Sequence, residues 1–216
     1  MRHWTILGFL LVCLVLAGPR ALRAQEVIDR IVARIEGDVI LLSELRELGH
    51  YQELVDGKSE SDAQRLDRLI DQWIVRTEAD LAHFPKASEE EVESGVERLQ
   101  KLFASPDEYE ARKRQSGLSD TEIRKIVAAQ LYLSSYLDSR FRPAVQMDEK
   151  SIADFYQNDL VPRAKARGQE PPTLEAAHDT IQEALIQRGI NEQADRWLKE
   201  SRTRLHLQKL LGEGAK

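Results

Sequence analysis

Five histidines stand at positions 3, 50, 83, 178 and 206. A helical metal site wants two ligands three or four residues apart, so that both face the same ion. No pair of these histidines has that spacing, and neither a metal nor a cofactor is expected. Serines and carboxylates abound, but no GxSxG elbow and no glycine loop able to cradle phosphate is present, so no catalytic residue is expected. The run "SEEEVESGVE" reads as a solvated helix face with an acidic first turn, which suits the positive end of the helix dipole.

The aromatic residues suit a different chemistry. Phe103, Tyr109, Tyr132, Tyr136, Phe155 and Tyr156 gather in the middle and late parts of the chain. Their plainest role is core packing. Some of them could also line a concave surface between helices that holds extended, apolar segments of unfolded chains. Large rings with few rotors give much contact area for little lost freedom. Tyr132 and Tyr136 share a helix face offset from the Ile123–Leu131 stripe and are the first candidates for exposure.

The elements that would position these residues are mostly helical. Ser61 with Gln64, Ser88 with Glu91, Ser105 with Glu108, and Ser119 with Glu122 all fit the capping-box spacing. Pro106 follows Ser105 at a first helical position, where its missing N–H does no harm. Leu66, Leu69, Ile70, Trp73, Ile74 and Leu81 form one apolar stripe. Val92, Val96, Leu99 and Leu102 form a second, and Ile123, Ile126, Val127, Leu131, Leu137 and Phe141 a third. Pro143 ends that third helix. Asp148 caps a shorter one through Phe155 and Tyr156. A long last helix starts near Thr173 and holds Gly189, which costs about 1 kcal/mol against alanine and could kink it.

Only the two ends of the mature chain read as strand. Val27–Glu36 alternates with period two, "EGD" supplies a Gly-Asp turn, and Val39–Leu42 returns before Ser43 caps a helix to about Leu54. Residues 203–210, "TRLHLQKL", alternate again. A lone hairpin is marginal in water. The C-terminal strand is therefore expected to join it, giving a mostly α fold with a small sheet made of an N-terminal β-hairpin and a C-terminal strand.

The first 24 residues have the layout of a secretory signal peptide. Arg2 and His3 precede an apolar run, Trp4–Ala17, and a small residue for cleavage, Ala24. The run is shorter than the roughly 20 residues of a membrane span, although an uncleaved anchor is the alternative. Cleavage removes Arg2, Arg20 and Arg23 from 31 basic residues and none of the 37 acidic ones, so the mature charge is about −9. That balance argues against nucleic acid and favours solubility. The one cysteine, Cys13, leaves with the leader, so packing alone must hold the exported chain.

Taken in order, these segments resemble the SurA family of periplasmic chaperones. "VIDRIVARIEGDVILLSELRE" resembles the family's opening hairpin. "RLIDQWIVRTEADLAHFPKASEEEVESGVERL" is similar to its buried helix and the helix after it. "YEARKRQSGLSDTEIRKIVAAQLYLSSYLDSRF" is similar to the next long helix, and "ALIQRGINEQADRWLKESRTRLHLQKL" to the C-terminal helix and strand. Members of that family usually carry parvulin-type prolyl isomerase domains before the last helix. Here that space is the seventeen residues 157–173, too few for one, and the histidines of a parvulin site are missing too.

The resemblance implies one chaperone domain over 25–211, formed by segment 25–156 and the C-terminal helix and strand 173–211. Residues 157–172 make a short linker in place of the isomerase, and 212–216 a tail. It implies a periplasmic holdase for unfolded polypeptides, such as outer-membrane protein precursors, without catalysis and without membrane contact once the leader is cut. Two other readings stay open. One is an assembly protein with a single fixed partner. The other is a membrane-tethered accessory of the isomerase family. A second copy could also complete the sheet by swapping a strand or a helix.

Overall fold

The computed structural model describes residues 29–212. The expected leader, the start of the expected first strand at Val27 and Ile28, and tail residues 213–216 lie outside the described residues. The described residues open with β1 (Ile31–Ile35) and β2 (Asp38–Leu41), an antiparallel hairpin. Its turn is Glu36–Gly37, one residue earlier than the expected Gly-Asp turn. Glu36, not a glycine, takes the left-handed conformation at φ 52°. That conformation costs a side-chain-bearing residue about 1–2 kcal/mol. The C-terminal segment holds it in place: Glu36 N–H donates to His206 O at 3.1 Å, and Glu36 Oε1 accepts from His206 N–H at 2.9 Å.

The third strand is β3 (Leu207–Lys209), antiparallel to β1 with Ala33 opposite Lys209, Arg34 opposite Gln208 and Ile35 opposite Leu207. The sheet order is β2-β1-β3, so the two ends of the described chain share one sheet, as the sequence predicts. The strand is shorter than the expected 203–210. Residues Thr203–Leu205 instead close the preceding helix by turning back onto the carbonyls of Glu200, Ser201 and Arg202.

α1 (Leu42–Asp56) follows β2 directly. Its cap is Leu41 rather than the expected Ser43: the Glu44 carboxylate accepts the Leu41 N–H at 2.8 Å, while Ser43 N–H turns to Asp29 Oδ1. Gly57 ends the helix with φ 71°. α2 (Asp62–Leu81), α3 (Glu89–Gln100) and α5 (Asp120–Phe141) begin at complete capping boxes on Ser61, Ser88 and Ser119. At α4 (Pro106–Ser116) only half of the box forms. Ser105 Oγ accepts from Glu108 N–H, but the Glu108 carboxylate accepts from Ala104 N–H instead. Leu81 and Leu102, read as stripe residues, are 71% exposed because both stripes run past the packed part of their helices.

Pro143 ends α5 in a 3₁₀ turn (Arg142–Ala144), and Asp148 caps α6 (Glu149–Phe155). The segment expected as linker is largely helical. A π turn (Tyr156–Leu160) leads into α7 (Val161–Ala166), leaving only 167–173 irregular. The wide turn explains how Pro162 fits: Val161 N–H reaches back five residues to Tyr156 O, which loosens the register where the proline has no N–H to give. α8 (Leu174–Arg202) is capped by Thr173 and runs unbroken through Gly189. A Cβ there would lie 2.7 Å from Val145 Cγ1, so close packing on the turn after α5, not a break, is the reason for glycine.

Among the described residues the apolar faces meet in four clusters. One joins the sheet to α1 and α2 through Val32, Ile35, Leu45, Leu66, Ile70 and Trp73. A second joins α1, α3, α4 and α5 around Leu54, Leu99, Tyr109 and Ile123. A third packs Val75 and Ala79 of α2 on Tyr132 and Tyr136 of α5. The fourth, Ile152, Ala177 and Ile181, joins α6 to the first half of α8. A fully buried side chain of this size contributes about 1.5–3 kcal/mol.

Candidate functional site

The six aromatic residues singled out in the sequence do not share a surface. They fall in pairs into three different clusters. Phe103 and Tyr109 meet edge to face at 5.3 Å in the second. Tyr132 and Tyr136 lie in the third against Phe84. Phe155 and Tyr156 lie in the fourth, with the Arg188 guanidinium 5.3 Å from the Phe155 ring. The expected exposure of Tyr132 and Tyr136 is wrong: they are 8% and 5% exposed. The physical reason is that α5 is buried on two faces, by α3 on one and by α2 on the other. The offset face of the tyrosines therefore has its own partner. Tyr132 O–H donates to Asp80 Oδ1 at 2.7 Å, and Tyr136 Oη accepts from Arg140 at 2.9 Å. Burial, then the hydrogen bond to Asp80, pushes the Tyr132 phenol up to about 12.

The open apolar surface lies elsewhere. α1 and α5 stand apart over α2, next to β2, and leave a groove of about 170 Å³. Trp73 and Leu69 of α2 form its floor. Leu48 and Tyr51 come from α1, Ile126 and Leu133 from α5, and Val39 and Ile40 from β2. Leu48, Tyr51, Leu69, Ile126 and Leu133 are half-buried, and Val39 is 41% exposed. An apolar cavity of about 150 Å³ accommodates a benzene ring, so the groove has room for one large side chain.

Polar groups fix the groove's width. Tyr51 O–H donates to Gln130 Oε1 at 3.0 Å, and Lys125 Nζ approaches Glu47 Oε1 at 3.5 Å, both bridging α1 and α5. Trp73 Nε1–H donates to Asp38 Oδ2 at 2.9 Å, which anchors the floor to the start of β2. Burial raises the Tyr51 phenol above its usual range. Glu44, Glu47, Arg76 and Lys125 put both charge signs on the rim, an arrangement suited to an apolar guest flanked by polar groups of either kind.

This groove is hidden in the sequence because Leu69, Trp73 and Ile126 lie on stripes that also fill the core. The available signal was a second apolar row on α5: Ile126, Ala129 and Leu133 at helical spacing, beyond what one packed face needs. Among the described residues, two histidines lie within hydrogen-bond reach of carboxylates, His178 of Glu149 and Asp179, and His206 of Glu36. Among the described residues no cluster of His, Cys, Asp and Glu could hold a metal ion, and no helix is long and apolar enough to cross a membrane.

The fold and groove thus define a helical body closed by a terminal sheet and carrying an apolar, open recess. No protein-family model matches the chain. Among curated proteins it is similar to chaperone SurA of Pseudomonas putida, 26% identical over 184 residues, which is 77% of this chain and 42% of that protein. It is also similar to chaperone SurA of Pseudomonas fluorescens, 24% identical over 152 residues, or 66% of this chain and 35% of that protein. The chain spans less than half the length of these relatives, and the relationship to them is distant.

Proposed function

We propose that the protein is a periplasmic holdase that binds unfolded polypeptides, outer-membrane protein precursors among them, without catalysis. The observation that carries this reading is the groove over Trp73, half-buried and apolar, with room for a side chain and rim charges of both signs. Weak contacts of this kind, repeated along an unfolded chain, mask apolar segments. The acidic balance of the protein keeps the complex soluble. The distant similarity to chaperone SurA agrees with such a role. On this reading, residues 25–211 form the chaperone unit, residues 1–24 are the export signal, and the short segment 157–172 stands where SurA relatives carry an isomerase domain.

The test is binding of fluorescently labelled polypeptides to the purified chain, comparing several unfolded proteins with their folded forms. The reading predicts weak binding to many unfolded chains and none to folded ones. Tight binding to one folded partner would favour the assembly-protein alternative. No binding to any unfolded chain would end the proposal.

A further inference from the structure

The groove opens on the edge of a strand. Val39 and Ile40 are adjacent in β2 and point to opposite faces of the sheet, yet both border the groove. Only the edge of β2 is common to the two. The hydrogen-bond alternation shows what that edge offers. On β1, Val32 O accepts from Leu210 N–H at 2.8 Å and Glu36 N–H donates to His206 O, so its even-numbered residues face β3. The odd-numbered Ala33 and Ile35 therefore face β2, where they pair with Ile40 and Asp38. Val39 is left with its N–H and C=O pointing away from the sheet, and neither has a partner among the described residues. The next outward N–H, that of Leu41, is taken by Glu44.

Free backbone groups beside an apolar recess ask for a particular guest. An extended main chain supplies the matching C=O and N–H, and its alternate side chains point into the recess. We propose that the β2 edge takes up an extended apolar segment of an unfolded polypeptide as a fourth strand, hydrogen-bonded to Val39 and seating one large side chain against Trp73. This rests on the holdase reading and specifies its substrate as segments of alternating apolar residues in strand conformation. A second copy of the chain is the other occupant that such an edge admits. The acidic balance works against it, because both copies carry the same excess of negative charge.

The test uses the full chain and a ten-residue peptide that alternates leucine or phenylalanine with polar residues. Two N-methylated forms are compared, methylated on one or the other alternate set of residues, with binding followed by the anisotropy of a fluorophore on the peptide. Strand addition predicts that one set weakens binding by about tenfold or more and the other leaves it nearly unchanged. Val39→Pro removes the outward N–H and breaks no bond to β1, since proline is tolerated at such edge positions. It should weaken the unmodified peptide by a similar factor, with an unchanged circular dichroism spectrum confirming the fold. Equal affinity for both methylated peptides, with Val39→Pro silent, would overturn strand addition while leaving the holdase reading standing. Failure of every unfolded chain to bind would remove both. A dimer that Val39→Pro converts to monomer would assign the edge to a second copy and overturn the proposal.

Discussion

Arg202, at the end of α8, donates from Nε to Asp71 of α2 at 2.7 Å across 131 residues of sequence. Its other nitrogens reach the Asp67 carboxylate at 3.0 Å and the Asp67 carbonyl at 2.7 Å, and Lys209 of β3 holds the same carboxylate at 2.6 Å. Arg202 and Lys209 thus tie the C-terminal helix and strand to the helix that floors the groove. Burial would raise the Asp67 carboxyl, but Lys209 and Arg202 more than offset it and hold it below its usual range.

Arg202→Met removes the three Arg202 bonds and leaves Asp71 without this cation, while Lys209 still holds the Asp67 carboxylate. A half-buried, charge-assisted network of this type is worth about 1–3 kcal/mol. At about 2–4 °C per kcal/mol for a chain of this size, the melting temperature should fall by a few degrees to about ten. Thermal unfolding by circular dichroism checks this, and Lys209→Met should cost less because Lys209 has one partner.

Gly95 sits where α3 crosses α5. A Cβ there would lie 2.6 Å from Val127 Cγ1 and 3.2 Å from Leu131 Cδ1. Gly95→Ala is expected to destabilise the protein by about 1–3 kcal/mol through overpacking. Gly37, in the hairpin turn, has nothing within 4 Å of the same position. Gly37→Ala should change stability by less than about 0.5 kcal/mol. Urea unfolding of the two variants side by side measures the contrast.

Tyr132→Phe keeps the ring and loses the bond to Asp80, at an expected cost of about 0.5–1.5 kcal/mol. Tyr132→Ala also opens a cavity and should cost about 3–5 kcal/mol. Tyr132 does not line the groove, so Tyr132→Phe should leave polypeptide binding unchanged. Absorbance titration of the phenols should show one group ionising near 12, in keeping with its burial.

Acid should weaken the fold through particular carboxylates. Glu183 is held down to about 2 by Arg142 and then Gln187, and Glu60 to about 2 by Arg68 and Gln52. Their folded values lie below the unfolded one of about 4.3. The stability they give is thus present above that value and lost as pH falls toward 2. His178 works in the opposite sense. Asp179 and Glu149 raise it above its usual value, so its contribution is complete below about 6.5 and fades as pH rises through the raised folded value. Melting temperatures from pH 2 to 9 should show the acid loss, and Arg142→Gln should shrink it.

Local chemistry made the frame readable from sequence. The serines at 61, 88, 105 and 119 mark helix starts because capping depends on neighbours three residues away. The sheet was readable because only two segments alternate and a hairpin alone needs a partner. What escaped depends on distant neighbours. Whether Tyr132 is exposed is decided by α2, some fifty residues earlier, and whether Trp73 is core or floor is decided by how far α1 and α5 stand apart. Residues 157–166 have linker composition, yet the π turn at Tyr156–Leu160 accommodates the proline within helix.

The most direct measurement is light scattering from an unfolded outer-membrane barrel protein diluted out of denaturant, with the purified chain added as wild type or as Leu48→Lys. Leu48 lines the groove and belongs to none of the four core clusters, and lysine there lies one turn from Glu44, which suits a helix. The account predicts that the wild type suppresses aggregation at near-equimolar ratio and that Leu48→Lys, folded by circular dichroism, largely loses this. Equal suppression by the two proteins, or none by the wild type, would contradict a polypeptide-holding groove over Trp73.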